Sequence, residues 1–570
     1  MINPIYTEET ECQDCYKCIR HCPVKAIEVQ DGHAKILTED CILCGNCVRV
    51  CPVGAKKIRN DLSRAKRLIA TGERVFLSIA PSFISEFQGF SEAHIVKAAR
   101  KLGFYGSSET ALGAQEVTRH TVNMLASEGH SIHISSACPT IVEYVKKYQP
   151  KFNSCLSETL SPLQTHCKLL KNIYGADIKI IFAGPCISKK READLRPDLL
   201  NLAISFDDLK QWMVEEHISP AELEISETDQ FIPTSSKSGA LYPFAGGMLQ
   251  SIQENITGGQ DTRMLNFSGI HSMAGVLKGL KDIRTEGPLF IELLACEGGC
   301  VNGPAANKDT GTAVKQCIVS DYAENRVDSS TDKTLQCDDI GWNRKLNPVP
   351  SPAFREEEIR GALRRIGKFD SSDEKNCGAC GYMTCRDYAV AFLENRAERD
   401  MCVSYLKKLS EKKANALIKA MPSGVVIVDH DLKIIECNRA FAKLLGPDTE
   451  EAYNMRPGLK DVMLDKIIPF SAVFRGVLNS EGNMVNQTFR TEEKILDGSI
   501  FSIEKNQAVG GIFQDVTSPR VQKERIIRQA RAVMEKNVES IQQIAFLLGE
   551  NAAESEVMLN TIVESFGAQE

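Results

Sequence analysis

The first 52 residues contain the same cysteine spacing twice, and this repeat limits what the chain can fold into more than any other feature. Both copies read C-x2-C-x2-C-x3-C-P. Three thiolates on one tight loop can bind three irons of a cubane cluster, while the fourth cysteine of each copy reaches across to the other cluster. The spacing therefore predicts two 4Fe-4S clusters, one held by Cys12, Cys15, Cys18 and Cys51 and the other by Cys41, Cys44, Cys47 and Cys22.

With Pro23 and Pro52 closing the two copies, this segment resembles a bacterial two-cluster ferredoxin over about residues 1–60. A pair of zinc sites is the alternative interpretation. Zinc ribbons, however, use two C-x2-C pairs and lack both a third cysteine at the same spacing and the proline that follows the last one. We therefore expect an electron-transfer domain at the N-terminus.

Length and composition limit the number of domains and the class of protein. A chain of 570 residues has room for about four domains. Its 43% hydrophobic and 25% charged residues are ordinary for globular proteins, which excludes wholesale disorder. The net charge of −7 offers no general basic surface, so we expect no nucleic-acid partner.

Targeting signals are also missing from the sequence. The longest apolar runs are far shorter than the roughly 18 to 20 residues that cross a bilayer, so no membrane association is expected. Met1–Glu11 is acidic and lacks a secretory pattern, which favours a cytoplasmic location. In a reducing compartment, most of the 21 cysteines are better explained as metal ligands than as disulfides.

A second group of cysteines is dispersed over three turns. Cys138 lies in S-A-C-P, Cys186 in G-P-C-I-S-K-K, and Cys296 and Cys300 in L-A-C-E-G-G-C-V-N-G-P. Two of these turns follow strand-like runs, residues 178–183 and 289–294. Ligands gather at loops after strand ends in α/β domains, so four thiolates from three loops can enclose one buried cluster.

These three loops, together with the Ala80-Pro81 and Leu241–Gly247 segments, resemble the iron-iron (FeFe) hydrogenases over about residues 75–310. The resemblance implies that Cys138, Cys186 and Cys296 ligate a 4Fe-4S cube. It implies that Cys300 bridges this cube to a di-iron unit with carbon monoxide, cyanide and dithiolate ligands, inserted by maturation enzymes. It also implies that Lys189 hydrogen-bonds a cyanide, the anionic acceptor that a buried lysine needs.

The sequence departs from the family at positions around the expected di-iron site. Active members carry a proton-relaying cysteine directly before the first ligand, where this chain has Ala137. Three further positions differ, Ile141, Gly184 and Leu294. Proton transfer needs a titratable group within hydrogen-bond reach. We therefore expect either slow turnover or a substitute relay, with three candidates, Glu297, Glu116 and Ser157.

An assembly protein that keeps the cysteines but never carries the di-iron unit is the alternative. Several features that such a protein would not need are present. They are Lys189, the whole Cys296 loop, Ser157 and Ser161-Pro162. These residues favour a chain that binds the complete cofactor.

A third group follows as C-x2-C-x4-C-x16-C, formed by Cys377, Cys380, Cys385 and Cys402. It resembles a small iron-sulfur module of electron-transfer subunits, with a predicted helix from Arg386 to Arg399, and it implies a fourth 4Fe-4S cluster. Zinc is the alternative, because four cysteines alone do not identify the metal. The five remaining cysteines are expected to be free thiols: Cys155, Cys167, Cys317, Cys337 and Cys437.

The pattern changes after a charged, helical linker, Tyr405 to Ala420. A strand-like run from Gly424, a second run from Lys433 to Glu436, an amphipathic helix at 438–446 and a closing run at 511–517 follow. This order resembles a PAS sensory domain over about residues 415–517. His430 and Cys437 lie here, but a turn histidine and a lone cysteine are usually not ligands.

From Ser518 onward the chain reads as one long helix. Ile527, Met534, Ile541 and Leu548 repeat every seven residues, with Ala530, Val538 and Ile544 between them. Such a stripe is typical of a coiled coil that pairs with a second subunit or a partner's helix. Packing back onto the PAS domain is the alternative.

The sequence thus predicts a multidomain α+β and α/β chain. The predicted domains are a two-cluster ferredoxin domain at 1–60, an FeFe-hydrogenase domain at 61–350, a 4Fe-4S module at 351–410, a PAS domain at 415–517 and a dimerisation helix at 518–570. The predicted function is a hydrogen-sensing FeFe hydrogenase of low turnover. Its expected partners are H2 and protons, ferredoxin or another electron carrier, a second copy of the chain, and a downstream kinase or phosphatase.

Two other functions stay open at this point. The first is a conventional ferredoxin-linked hydrogenase in which the PAS domain and the helix only dimerise the chain. The second is a hydrogenase-like redox sensor without the di-iron unit. Specific turnover would separate the first from a sensor, and infrared bands of carbon monoxide and cyanide would separate the second.

Overall fold

The computed structural model describes residues 3–127, 131–256, 262–284, 287–326, 335–479, 485–491, 494–517, 523, 526–543 and 545–546. The chain divides into two compact units, Met1–Tyr405 and Leu406–Glu570. No helix among the described residues is both long enough and apolar enough to cross a membrane.

The first unit contains eleven strands among its described residues. In chain order they are β1 (Ile5–Thr7), β2 (Ile27–Gln30), β3 (His33–Ile36), β4 (Lys56–Ile58), β5 (Val75–Ile79), β6 (Gly106–Glu109), β7 (Ile132–Ile134), β8 (Lys179–Ala183), β9 (Leu202–Ile204), β10 (Arg263–Ser268) and β11 (Leu289–Leu294).

Sixteen α-helices begin in the described part of the first unit. They are α1 (Lys17–Arg20), α2 (Asn46–Val50), α3 (Leu62–Ala70), α4 (Phe83–Glu86), α5 (Glu92–Lys101), α6 (Ala111–Ser127), α7 (Pro139–Tyr148), α8 (Pro162–Tyr174), α9 (Ser188–Leu195), α10 (Phe206–Glu215), α11 (Gly247–Asn255), α12 (Met273–Leu277), α13 (Thr312–Glu324), α14 (Glu356–Arg365), α15 (Cys385–Leu393) and α16 (Val403–Ala420).

Two parallel sheets form the centre of this unit. One has the strand order β6-β5-β8-β9 and the other has the order β10-β11-β7. All residues of β5 and β11 are buried, as expected for parallel strands covered by helices on both faces. The carboxyl ends of β7, β8 and β11 lead into the turns of Cys138, Cys186 and Cys296, so the sheets gather the dispersed cysteines.

The N-terminal segment forms two short antiparallel pairs, β1 with β4 and β2 with β3. Its core is shared with the region of the third cysteine group, because Ile19 and Val29 pack in one buried cluster with Tyr382 and Tyr388. The predicted helix from Arg386 to Arg399 is wrong in length. Helix α15 ends at Leu393, and Asn395 has a left-handed φ of 58°, which breaks the helix.

The second unit is a five-stranded antiparallel sheet with helices. Its strands are β12 (Gly424–Asp429), β13 (Ile434–Cys437), β14 (Val485–Arg490), β15 (Ile495–Glu504) and β16 (Ala508–Asp515), and its helices are α17 (Arg439–Leu445), α18 (Pro447–Met455) and α19 (Ser471–Asn479). The strand order is β13-β12-β16-β15-β14. Phenylalanines fill the core, where Phe470 stacks on Phe489 at 4.1 Å between ring centroids.

A helix is present near the C-terminus, over residues 526–543. The side chains of Ile527, Met534, Val538 and Ile541 are exposed in this chain. Ile544 and Leu548, which complete the predicted stripe, lie outside the described residues. Pairing of this helix with a second copy therefore stays a prediction.

Candidate functional site

Each of the three dispersed loops lies between a strand end and a helix start. Cys138 follows β7 and precedes α7, and Cys186 lies between β8 and α9. Cys296 and Cys300 lie in the turn after β11. Pro139 at the first position of α7 fits the backbone angle of a helix start, so the chain turns directly at the cysteine.

Contacts between the loops hold them together. The hydroxyls of Thr140 and Ser188 are 2.7 Å apart, which ties the start of α7 to the start of α9. The backbone N–H of Val301 donates to the Pro243 carbonyl at 2.9 Å. Gly299 has φ +104°, and a β-carbon there would meet the Pro243 carbonyl at 2.5 Å. This glycine is therefore needed for close packing of the cysteine loop on the Pro243 segment.

Cys138 is buried, the other three cysteines of the loops are half-buried, and the four thiols are close enough to affect one another's pKa. Burial, and then the neighbouring Cys138 thiol, raise the pKa of Cys186 to about 11. Burial raises the pKa of Cys300 further, with added contributions from Cys138 and Cys186, and the pKa of Cys296 is raised by the same causes. Four such thiolates are stable only beside compensating cations, which an iron-sulfur cube supplies. The donor set fits that cofactor.

A cavity opens beside these thiols, with a volume of about 90 Å³. Its lining residues are Ala80, Pro81, Ser82, Thr110, Ala114, Ala137, Pro162, Leu163, Phe182, Pro185, Cys186, Lys189, Tyr242, Pro243, Glu292, Leu294 and Cys300. Most of the wall is apolar, and the cysteine expected to bridge the two parts of the cofactor faces it. A largely dry pocket with a few polar groups is suited to a bound cofactor.

Lys189 lines this cavity as the resemblance implied, but it already has an acceptor within the protein. Its Nζ donates to Glu192 Oε2 at 2.7 Å and to Ser161 Oγ at 3.1 Å. Burial alone would lower the pKa of Lys189, but Glu192 and the Cys186 thiol raise it above the usual value. The lysine is therefore charged without needing a cofactor anion, and its ammonium is held at the cavity wall.

The three candidate relay residues lie away from the cavity wall. Glu116 is buried, pairs with Arg119 at 3.0 Å, and accepts from the backbone of Cys337. Glu297 is exposed and lines a separate polar pocket with Arg49. The Ser157 hydroxyl is buried, without a hydrogen-bond partner among the described residues. Ala137 does line the cavity, and it brings a methyl group there.

Glu292 was missed in the sequence and is the one carboxylate among the described residues that line the cavity. It is 1% exposed, and its Oε2 accepts from the backbone of Gly246 at 2.7 Å. Burial raises the pKa of Glu292 to about 7. The sequence did contain a signal for this residue, because a glutamate lies inside a predicted buried strand, four residues before a ligand cysteine. Glutamates are almost never fully buried unless they are paired.

The N-terminal cysteines form their own sites beside the cavity. The thiols of Cys44, Cys41 and Cys22 all lie near Cys47 and contribute to its raised pKa, after burial. Cys22 therefore lies with the second group, as the crossed ligand pattern predicts. The Cys44 thiol is also near Cys296. Gly45, with φ +75°, approaches Pro304 so closely that a β-carbon would lie 2.4 Å from it.

The cysteines of the third group line one common pocket, together with Lys368, Tyr382 and Ser404. The lining cysteines are Cys377, Cys380, Cys385 and Cys402. Cys385 is the first residue of α15, and its N–H donates to the Asn376 side chain at 2.8 Å. Four thiols around one pocket fit a tetrahedral metal or a cubane cluster.

A lysine connects this pocket to the N-terminal cysteines. Lys25 Nζ donates to the Gly381 carbonyl at 2.7 Å, and Arg20 donates to the Ala379 carbonyl at 2.9 Å. Burial lowers the pKa of Lys25, while the Cys22 and Cys380 thiols on its two sides raise it. The third cysteine site therefore lies against the ferredoxin-like segment.

Comparison with protein families gives four matches along the chain. Residues 73–304 match the iron-only hydrogenase large subunit, C-terminal domain, and residues 4–52 match the 4Fe-4S dicluster domain. Residues 373–404 match an iron-sulfur cluster family, and residues 413–477 match the PAS domain. The matches define a multidomain iron-sulfur protein of α/β type.

The individual relatives agree with these matches. Iron hydrogenase 1 of Clostridium pasteurianum is 28% identical over 295 residues, 43% of this chain and 51% of that protein. The periplasmic [Fe] hydrogenase large subunit of Nitratidesulfovibrio vulgaris is 24% identical over 365 residues, 52% of this chain and 85% of that protein. A solved [FeFe]-hydrogenase HydA1 variant from Chlamydomonas reinhardtii has 15% identity and a TM-score of 0.38, covering 49% of this chain and 93% of that one.

The chain thus contains an iron-only hydrogenase large-subunit domain at residues 73–304 and a PAS domain at residues 413–477. The aligned part spans about half the length of the Clostridium protein. The five-stranded sheet of the second unit continues beyond the matched residues 413–477, through Asp515.

Proposed function

We propose that this chain is a hydrogen sensor that binds a di-iron unit beside a 4Fe-4S cube and reacts slowly with H2. The observation that carries the proposal is the cavity wall, on which Cys186, Cys300 and Lys189 face one space while Ala137 replaces a relay. When bound, the di-iron unit supplies the chemistry that splits or forms H2.

The chain's own residues have three tasks in this function. Cys138, Cys186 and Cys296 would hold the cube, and Cys300 would provide the thiolate that holds the di-iron unit beside it. The Lys189 ammonium presents a positive charge at the wall, where it can donate to an anionic ligand in exchange for Ser161. Apolar residues such as Phe182 and Leu294 keep bulk water away from the cavity.

Slow turnover follows from the composition of the same wall. A thiol at position 137 would exchange protons at the reacting centre, but a methyl group cannot do so. Fast turnover is unnecessary for a sensor, whose bound state needs only to follow the H2 concentration. A conventional ferredoxin-linked hydrogenase would be expected to keep the relay.

The route for the signal runs through α16. Cys402, a ligand of the third site, directly precedes this helix, and its Sγ lies 3.4 Å from the hydroxyl of Ser404. At the other end, Asn438 is 1% exposed and donates to the carbonyls of Ile418 and Ser423, both at 2.9 Å. A change in charge at Cys402 would thus act on a helix whose far end is fixed to the PAS sheet.

The remaining partners complete the proposal. An electron carrier such as ferredoxin exchanges electrons with the clusters, which number four cubes in total. The exposed stripe on residues 526–543 pairs with a second copy of the chain. In this proposal, output passes to a downstream kinase or phosphatase, and the working location is the cytoplasm.

Infrared spectroscopy of the chain after maturation with the di-iron unit is the first test. Carbon monoxide and cyanide stretching bands are expected, and their absence at full cube occupancy would favour the redox sensor without the di-iron unit. Specific turnover then separates sensor from conventional enzyme. Amide hydrogen exchange in residues 415–437, compared under H2 and under argon, should change in a sensor and stay constant in a conventional hydrogenase.

A further inference from the structure

Three hydroxyl groups form a continuous line that begins at the cavity. The Tyr242 hydroxyl lies 2.9 Å from Thr118 Oγ1, and Thr118 Oγ1 lies 2.8 Å from Ser251 Oγ. Tyr242 lines the cavity, while Thr118 and Ser251 are 1% and 0% exposed. The line passes from the cavity wall to α6 and then to α11.

We propose that protons move between the cavity and the surface along Tyr242, Thr118 and Ser251, in place of the relay that Ala137 cannot provide. The inference rests on the proposed function, because it assigns a proton route to the same cavity. It concerns residues that play no part in binding the clusters.

The chemistry of the three groups suits such a route. A hydroxyl can donate one hydrogen bond and accept two, so each member can receive a proton on one side while releasing its own on the other. A proton entering at Ser251 forms a new O–H bond there as the former Ser251 proton passes to Thr118, and the Thr118 proton passes to Tyr242. One proton then leaves Tyr242 into the cavity, and rotation of the hydroxyls restores the starting state.

The inner end of the line meets a group that can hold a proton. Glu292 faces the same cavity and is close enough to contribute to the raised pKa of Tyr242. Burial raises the pKa of Glu292 to about 7, so the carboxyl can take up and release protons near neutral pH. Tyr242 itself keeps its proton because burial, above all, raises its pKa.

The outer end lies close to the surface. Ser251 is in α11, and the side chain of Glu254, three residues further along the same helix, is exposed. The Ser251 hydroxyl is itself buried, so a water molecule between it and the Glu254 side chain would complete the route to solvent. Asn255, at the end of α11, donates to the Ser251 carbonyl at 2.8 Å.

A second polar line from the cavity serves as the contrast. Thr110 lines the cavity and lies 2.9 Å from Ser78, which lies 2.9 Å from His166; His166 lies 2.8 Å from Ser108. Ser108 is 0% exposed within strand β6, and its chain neighbours Ser107 and Glu109 are buried as well, so this line ends in the core. This second line therefore supplies buried polar groups for control variants, because it should not carry protons to the surface.

The first test follows exchange of the Glu292 carboxyl proton after transfer of the full chain into D2O, in mildly acidic buffer, without the di-iron unit. The carboxyl infrared band is assigned by its loss in Glu292→Gln. Thr118→Val keeps the shape of the side chain and removes the hydroxyl, and we expect exchange to slow by about 10-fold or more, since positioned relays contribute on the order of 10²- to 10⁴-fold. Thr118→Ser should restore the rate.

Three controls accompany this measurement. Thr121→Val removes a buried hydroxyl from the same helix, one that bonds its own helix carbonyl at 2.7 Å, and should leave the rate unchanged. Ser78→Ala should also leave it unchanged. The carboxyl of Glu109, which is buried with a pKa of about 8, should exchange equally in all variants. Wild-type exchange in Thr118→Val, or equal slowing in Thr121→Val, would overturn the proposal.

The second test measures H2 evolution by the chain loaded with the di-iron unit. Thr118→Val should lower the rate, while Thr121→Val and Ser78→Ala should not. An unchanged rate in Thr118→Val would overturn the route as the one used in turnover. If the wild-type chain shows no H2 chemistry, the proposed function fails, whereas the exchange measurement still decides whether the hydroxyl line carries protons.

Discussion

The hydrogenase-type cavity and the cysteine site at 377–402 are built in opposite ways. Cys138 and Cys300 are 162 residues apart (300 − 138) and meet only because two parallel sheets bring three loops together. Cys377 and Cys402 are 25 residues apart (402 − 377), and their site needs one loop and the ends of two helices.

The two sites therefore differ both in the parts of the chain that build them and in the chemistry that they can support. The local site takes its four cysteines from one short segment, which packs on the N-terminal segment through contacts such as that of Lys25 with Gly381. The dispersed site places many non-ligand groups around its cavity, because each loop brings neighbours from another strand. The proposed reactivity with H2 therefore belongs to the dispersed site, and the local one is suited to the proposed electron transfer.

The largest effect is expected at the cysteine that joins the two parts of the cofactor. Cys300→Ala removes this thiolate and leaves no adjacent sulfur, so the chain should fail to retain the di-iron unit. Infrared spectroscopy after maturation should then show no carbon monoxide or cyanide bands. Cys155→Ser, which removes a half-buried free thiol, is the matched control and should keep them. Intact bands in Cys300→Ala would refute the assignment of this residue.

A change at the local site should leave the dispersed one intact. Cys377→Ser should lower the iron content by about four atoms per chain, one cube's worth. The infrared bands should persist, because the sheets that shape the cavity are untouched. Loss of zinc in place of iron would show that the third group is a zinc site, and loss of the bands would mean that the two sites do not form independently.

The local patterns could be predicted from the sequence with good accuracy. The strand expected at 178–183 is β8 (Lys179–Ala183), and the one expected at 289–294 is β11. The PAS helix expected at 438–446 is α17, with Asn438 as its cap. Such features depend on hydrophobic periodicity and turn residues within a short window, which is information that the sequence carries directly.

Features that depend on distant residues could not be predicted. Glu292 reads as a polar residue in a strand until β11 places it on the cavity wall. The hydroxyls of Tyr242, Thr118 and Ser251 come from three separate segments. None of these relations has a local signal, since tertiary packing alone brings the groups together.

The missing relay gives an effect of intermediate size. Ala137→Cys places a thiol on the cavity wall, where it can exchange protons at the reacting centre. Relays contribute on the order of 10²- to 10⁴-fold, but the path beyond this position is incomplete, because neither Ser157 nor Glu116 lines the cavity. We expect H2 evolution to rise at the lower end of this range or below it. An unchanged rate at full di-iron occupancy would place the limit at another step, such as tuning by Gly184, Leu294 and Ile141.

The smallest effect concerns the stability in acid of the sheet that contains β5 and β6. His166 is fully buried between Ser78 and Ser108, and burial lowers its pKa to about 3. The unfolded chain, with a histidine pKa of about 6.5, takes up a proton below that pH, but the folded chain does not. The contribution of His166 to stability should therefore be constant above about pH 6.5 and fall below it, until the pH reaches the folded value. The raised pKa values of Glu109 and Glu292 change stability in the opposite direction, but they do so in wild type and in His166→Gln alike, so the difference between the two proteins isolates the histidine.

The expected loss is about 2 kcal/mol at pH 5. It can be measured as the protection of β5 and β6 amides against hydrogen exchange, corrected for intrinsic rates. His166→Gln removes the titrating group and should abolish the pH step while keeping hydrogen-bonding capacity between the two serines. Residues 351–405 contain no histidine, so amides of α14 and α15 should lack the step in both proteins. A step of equal size there would mean that another group controls acid stability, and that the dispersed site is no more acid-sensitive than the local one.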